Sequence, residues 1–139
     1  SKVKFTKNSK SRVYFTVSDW DRLIKYSSED GSKDIQLLLC EIINEIDQVS
    51  IKIYIGPGPI DKRQILLDFA HGNKELFKSA TQNLNESYNT IYSYKILKNK
   101  DYKDSTIDDL REKSTISWND FLETDFSLIN KLIVSRNWD

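Results

Sequence analysis

The clearest hydrophobic patterning lies between residues 12 and 55. Residues 12–17 alternate, with Val13, Phe15 and Val17 on one side and Tyr14 and Thr16 on the other, which predicts a half-buried strand. The same period of two returns with Val49, Ile51, Ile53 and Ile55 set against Ser50, Lys52 and Tyr54. The apolar run at residues 35–43 suits a strand or a helix by itself. Because only the polar stretch 44–48 separates it from the next strand, it is read as the first arm of a β-hairpin. Between the first strand and this hairpin, Ser18 is expected to cap a short helix. Asp19 and Asp21 sit in its first turn, where the helix dipole favours acids, and Trp20, Leu23 and Ile24 share a face. Residues 29–32, Glu-Asp-Gly-Ser, read as a loop.

Gly56-Pro57-Gly58-Pro59 breaks the strand, and Pro59 suits the first position of a helix because its φ is already fixed and its missing N–H has no partner to lose there. That helix runs to about Ala70 with a stripe of Ile65, Leu66, Phe69 and Ala70, and Gly72-Asn73 stops it. A helical turn around Leu76 and Phe77 follows. Residues 88–97 favour a strand in which Tyr88, Thr90, Tyr92, Tyr94 and Ile96 share one face. Three helical segments are expected after it: residues 107–113, residues 118–122, and a third carrying Phe126, Ile129 and Ile133. The order predicts an α+β fold, an antiparallel sheet with helices packed on one face, forming a single domain over residues 12–139. Residues 1–11 are expected to be a basic arm or linker.

With 38% hydrophobic and 30% charged residues and only four Gly and two Pro, the composition is that of a folded chain, not a disordered one. The lone Cys40 lies in an apolar run, so a disulfide framework is excluded and a reducing compartment, the cytoplasm, is expected. No apolar run has the length of a membrane span, so no membrane association is expected. The sequence contains no Met and begins with Ser1, which leaves open both a trimmed initiator and a fragment of a longer protein.

The formal net charge is zero, but the signs are segregated. Residues 2–12 carry five cations, Lys2, Lys4, Lys7, Lys10 and Arg12, and no anion; residues 104–125 carry seven acids against Arg111 and Lys113. The basic stretch reads first as a solvated terminus or a junction to another domain. Its alternative is contact with nucleic-acid phosphates through Lys4, Lys7, Lys10 and Arg12. Tyr88, Tyr92 and Tyr94, with Lys95 and Lys98 adjoining, read first as core or cover for a helix and second as a stacking platform for unpaired bases.

Little catalytic chemistry is visible. One His and one Cys, distant in sequence, exclude zinc sites and Cys/His nucleophiles, and His71 reads as a polar group near a helix end. The turn at residues 56–59 is read as a chain reversal; the alternative is an anion site formed by Gly58 and Arg63 at the helix start.

The segment 51–58 with Arg63 downstream, then Phe77, residues 88–97 and Trp118-Asn119-Asp120-Phe121-Leu122, preceded by Tyr14-Phe15-Thr16 and Trp20, resembles the region at the C-terminal side of PD-(D/E)XK nuclease superfamily proteins of prokaryotic defence systems. The resemblance implies an accessory or binding domain beside an upstream nuclease domain, with nucleic acid as a further partner. A nuclease core of that kind needs an acid on one strand and an acid-x-Lys pair on the next, to hold Mg²⁺ and assist the attacking water. The match here is Asp101-Tyr102-Lys103, which lacks an acidic partner on a preceding strand, while Lys52 has Ser50 in the acid's place. A non-catalytic domain without cofactor is therefore expected. The alternatives are a small self-contained Mg²⁺-dependent nuclease using Asp101 and Lys103, and an immunity or anti-defence protein that binds a partner protein through its acidic stretch.

Overall fold

Alternating hydrophobicity becomes a row of buried side chains once the strands are paired. The computed structural model describes the backbone of residues 3–8, 11–27, 31 and 34–139, and the side chains of residues 11–24, 31 and 35–139. Its elements are β1 (Val3–Asn8), β2 (Arg12–Val17), α1 (Ser18–Leu23), β3 (Lys25–Ser27), β4 (Asp34–Gln36), β5 (Leu38–Glu45), β6 (Gln48–Ile55), α2 (Ile60–His71), β7 (Asn89–Leu97), α3 (Ile107–Phe121) and α4 (Ser127–Ser135). Five strands form an antiparallel sheet in the order β1-β2-β5-β6-β7, and β3 pairs with β4 in a separate ribbon. The fold is α+β, as expected.

Register puts Phe15 opposite Cys40, Cys40 opposite Ile53 and Ile53 opposite Tyr92. All four are buried, and they form one core with Trp20 of α1, Leu66, Leu67, Phe69 and Ala70 of α2, Phe121 of α3, and Ile129 and Ile133 of α4. The helices thus cover one face of the sheet. Side chains alternate along a strand, so the neighbouring row, Tyr14, Glu41, Lys52 and Ser93, faces away from them. Burial holds the Cys40 thiol protonated by pushing its pKa far up, which leaves it an inert core group.

Several expectations change. Residues 3–8 are not a linker: β1 pairs with β2 at the sheet edge, Lys4 opposite Thr16 and Lys7 opposite Tyr14. Val17, not Ser18, occupies the N-cap position of α1. The apolar run from residue 35 is divided between β4 and β5, while the hairpin β5–β6 forms as expected. The loop expected at residues 29–32 lies outside the described residues except for Gly31. The shared face expected along residues 88–97 is broken by bulges. Ile53 pairs with Tyr92 but Tyr54 with Thr90, so the intervening Ile91 is the extra residue that switches faces. Tyr92 and Tyr94 therefore point toward the helices, whereas Tyr88 meets the Tyr54 ring edge-on at 6.3 Å.

The three expected C-terminal helical segments are one run. α3 passes without a break into a π-helical turn, Leu122–Phe126, and then into α4. Thr106 begins this run as a reciprocal cap: its hydroxyl accepts from the Asp109 N–H at 3.1 Å and its own N–H donates to the Asp109 carboxylate at 3.0 Å. Those contacts hold the Asp109 carboxyl below its ordinary pKa. At the other end, the Trp20 indole N–H donates to Asn130 at 2.9 Å and joins α1 to α4.

Candidate nucleic-acid interface

The end of β7, the 3₁₀ turn Asn99–Tyr102 and α3 enclose an open cleft of about 430 Å³. Its placement follows from local rules. Lys98 is the N-cap of the turn, and its N–H donates to the Asp101 carboxylate at 2.8 Å. Asp104, at φ 54°, then reverses the chain in a conformation that Asp tolerates better than most residues. The reversal brings Thr106 to the start of α3, and α3 runs back along β7. Asn99 donates to Asp47 in the β5–β6 turn at 2.6 Å, which fixes the 3₁₀ turn to the hairpin.

Lys95, Lys98, Lys100 and Lys113 line the cleft, and all four are exposed. Two carboxylates share it, and both already accept hydrogen bonds: Asp101 from Lys98, and Asp120 from the Tyr94 hydroxyl at 3.0 Å. Lys113 reaches across from α3 to Ser105 Oγ at 3.1 Å. Half-buried Tyr94 and exposed Ile116 supply the apolar part of the wall. Burial, together with the Asp120 carboxylate, raises the Tyr94 pKa and keeps its hydroxyl a donor. Four ammonium groups beside an aromatic and an aliphatic wall are the chemistry that single-stranded nucleic acids use, backbone on the cations and bases or sugars on the apolar surface.

The structure separates the other residues singled out in the sequence. Tyr92 is buried between Phe77 and Phe121, at ring distances of 6.5 and 5.9 Å, and its hydroxyl donates to Asp125 at 2.7 Å. Its ring faces are covered, so it is a core residue and not a base-stacking one. The Lys10 expectation lies outside the described residues, as do the side chains of Lys4 and Lys7. Arg12 is half exposed and approaches Glu41 at 3.4 Å. Glu41 itself is only 2% exposed and also accepts from the Tyr54 hydroxyl at 3.1 Å. Burial and the adjacent Glu41 carboxylate push the Tyr54 hydroxyl well above its ordinary pKa.

Gly58 and Arg63 are not brought together as an anion site. Arg63, 4% exposed, turns inward: Nε donates to Gly56 O at 2.9 Å, Nη1 to Asn85 O at 2.7 Å, and Nη2 to Ser87 O at 2.9 Å and Asn89 Oδ1 at 2.8 Å. One planar fork thus joins the β6 end, α2 and the segment leading into β7. Gly58 is exposed and lacks the positive φ that its setting between two prolines suggests, since Gly31 is the described glycine with a positive φ. The constrained glycine of the turn is Gly56. Its N–H donates to Leu37 O at 2.8 Å, and an added Cβ would lie 3.0 Å from Leu39 Cδ1. His71 donates Nε2–H to Thr81 O at 2.8 Å, the tautomer that a carbonyl acceptor requires.

Asp101 caps the 3₁₀ turn, and Lys103 follows it, exposed, at the helix C-cap. Among the described residues no group of three or more His, Cys, Asp or Glu side chains is arranged to hold a metal ion, and no helix is long and apolar enough to cross a membrane. Much of the acidic stretch is engaged within the fold: Asp108 with Arg111 at 3.7 Å, Asp109 in the Thr106 cap, and Asp120 and Asp125 with the two tyrosines. Sequence reasoning finds Lys95 and Lys98 but passes over Lys100 and Lys113. The spacing Lys95, Lys98, Lys100, Lys103 is a visible signal; the arrival of Lys113 from α3 is not.

No family model matches the chain, and neither does any curated protein or solved structure.

Proposed function

We propose that this chain is a non-catalytic binding domain that holds single-stranded nucleic acid by its phosphates in the cleft beside β7. In this reading it works in the cytoplasm as an accessory to a nuclease-like protein, the role implied by its resemblance to the C-terminal region of PD-(D/E)XK proteins. The observation that carries the reading is the convergence of Lys95, Lys98, Lys100 and Lys113 on one cleft whose two carboxylates already have donors. Arg12 is a less favourable phosphate contact than these lysines, because Glu41 lies 3.4 Å from it.

Salt dependence tests this directly. Fluorescence anisotropy with a short labelled single strand should give weak binding that falls steeply with salt. The double substitution Lys98→Ala/Lys113→Ala should flatten the slope of log K against log salt by about 1.4, because each single-strand phosphate that the protein neutralises adds roughly 0.7 to it. The residues whose side chains or backbone place the cleft, Asn99, Asp101, Asp104 and Thr106, are unchanged in that variant. An unchanged slope would place the phosphates elsewhere.

A further inference from the structure

A second cleft, of about 630 Å³, opens where α2 ends and the chain returns toward β7. Its lining includes His71, Lys74, Phe77, Lys78, Gln82 and Asn83, and no carboxylate. Lys74 and Lys78 are both exposed and lie four residues apart on a turn held by hydrogen bonds from the N–H groups of Leu76 and Phe77 to Asn73 O, at 3.1 and 3.0 Å. The segment 81–83 is held by a different set of hydrogen bonds. Buried Asn89 donates to Thr81 Oγ1 at 2.6 Å and to Asn83 O at 2.9 Å, while His71 holds Thr81 O. The Asn89 side chain is in turn fixed by Arg63. The floor is Phe77, packed against Phe69 and Tyr92.

Two lysines and two carboxamide side chains therefore line a depression of the size that takes small molecules, and none of its lining residues is an acid, the nearby Glu75 lying on the same turn but outside the lining. We propose that this cleft is a second binding site, independent of the one beside β7, for the phosphoryl groups of a small phosphorylated molecule. The lysines supply charge, and Gln82 and Asn83 supply neutral donors for phosphate oxygens. The buried Arg63 and Asn89 keep the segment 81–83 in place before any ligand arrives, which reduces the ordering that binding must impose.

Thermal unfolding with pyrophosphate, at ionic strength matched by NaCl, reads this out. Pyrophosphate should raise the midpoint by a few degrees. Lys74→Ala/Lys78→Ala should abolish that rise without lowering the midpoint in NaCl alone, because both side chains are on the surface. Lys98→Ala/Lys113→Ala should retain it. A parallel arm with ATP distinguishes a nucleotide from inorganic pyrophosphate as the preferred source of the phosphoryl groups, by the larger shift. No shift with either compound, or a shift that survives Lys74→Ala/Lys78→Ala, would overturn the proposal. A shift lost in Lys98→Ala/Lys113→Ala but kept in Lys74→Ala/Lys78→Ala would assign the anions to the β7 cleft instead.

Discussion

Arg63→Ala is expected to destabilise the fold by about 3 to 5 kcal/mol, because a buried guanidinium with four neutral acceptors is lost together with its packing. The guanidinium lies inside the structure and donates to four oxygens, Gly56 O, Asn85 O, Ser87 O and Asn89 Oδ1. The Gly56 and Asn89 acceptors are buried, and each costs about 1 to 3 kcal/mol when left without its donor, whereas Asn85 and Ser87 are exposed residues whose carbonyls water can reach, which offsets part of the sum. The loss spreads because Asn89 also organises Thr81, Asn83 and Asn85. Arg63→Lys should recover less than half of it, since a single ammonium cannot span acceptors arranged around a planar fork. Urea unfolding followed by circular dichroism measures both variants. A loss below about 1 kcal/mol would show that the segment before β7 is held by other interactions.

Phe121→Ala should be as damaging, at about 3 to 5 kcal/mol. Phe121 is 1% exposed and meets four rings, Tyr92 at 5.9 Å, Tyr94 and Trp118 at 5.5 Å, and Phe126 at 5.8 Å. Removing it deletes the transfer energy of a benzyl group and opens a cavity between rigid rings that cannot collapse into it. The effect reaches the β7 cleft, because Tyr94 packs on Phe121 and forms part of the cleft wall. Phe121→Leu, which leaves a smaller void, should cost clearly less. Equal losses from the Ala and Leu variants would mean that ring contacts rather than cavity volume dominate the energetics here.

What can be read from the chain follows the range of the forces involved. The strands β2, β5 and β6 and the helix α2 are legible because burial on one side writes a period of 2 or 3.6 into the sequence. β1 is not, because its lysines suggest a solvated arm and its place in the sheet depends on pairing with β2, which no local pattern reports. Alternation assigns the tyrosines of β7 to one face because parity cannot register an extra residue such as Ile91. The C-terminal helix reads as separate pieces because the π-helical turn Leu122–Phe126 shifts the phase of its apolar stripe. Arg63 is the sharpest case. Its spacing after a Gly-Pro-Gly-Pro turn suggests an anion site, or else a side chain that matters little to stability, yet its acceptors at residues 85, 87 and 89 are more than twenty positions away. Half of the β7 cleft is legible in the Lys95 to Lys103 spacing, and the other half is supplied by the return of α3.

The central claim is that nucleic acid binds beside β7, and an amide chemical-shift map tests it most directly. With the ¹⁵N-labelled chain titrated with a short single strand at low salt, the signals of residues 94–101 and 113–120 should move progressively and return when salt is raised. A map in which these two segments stay still, while other residues move or none do, would contradict it.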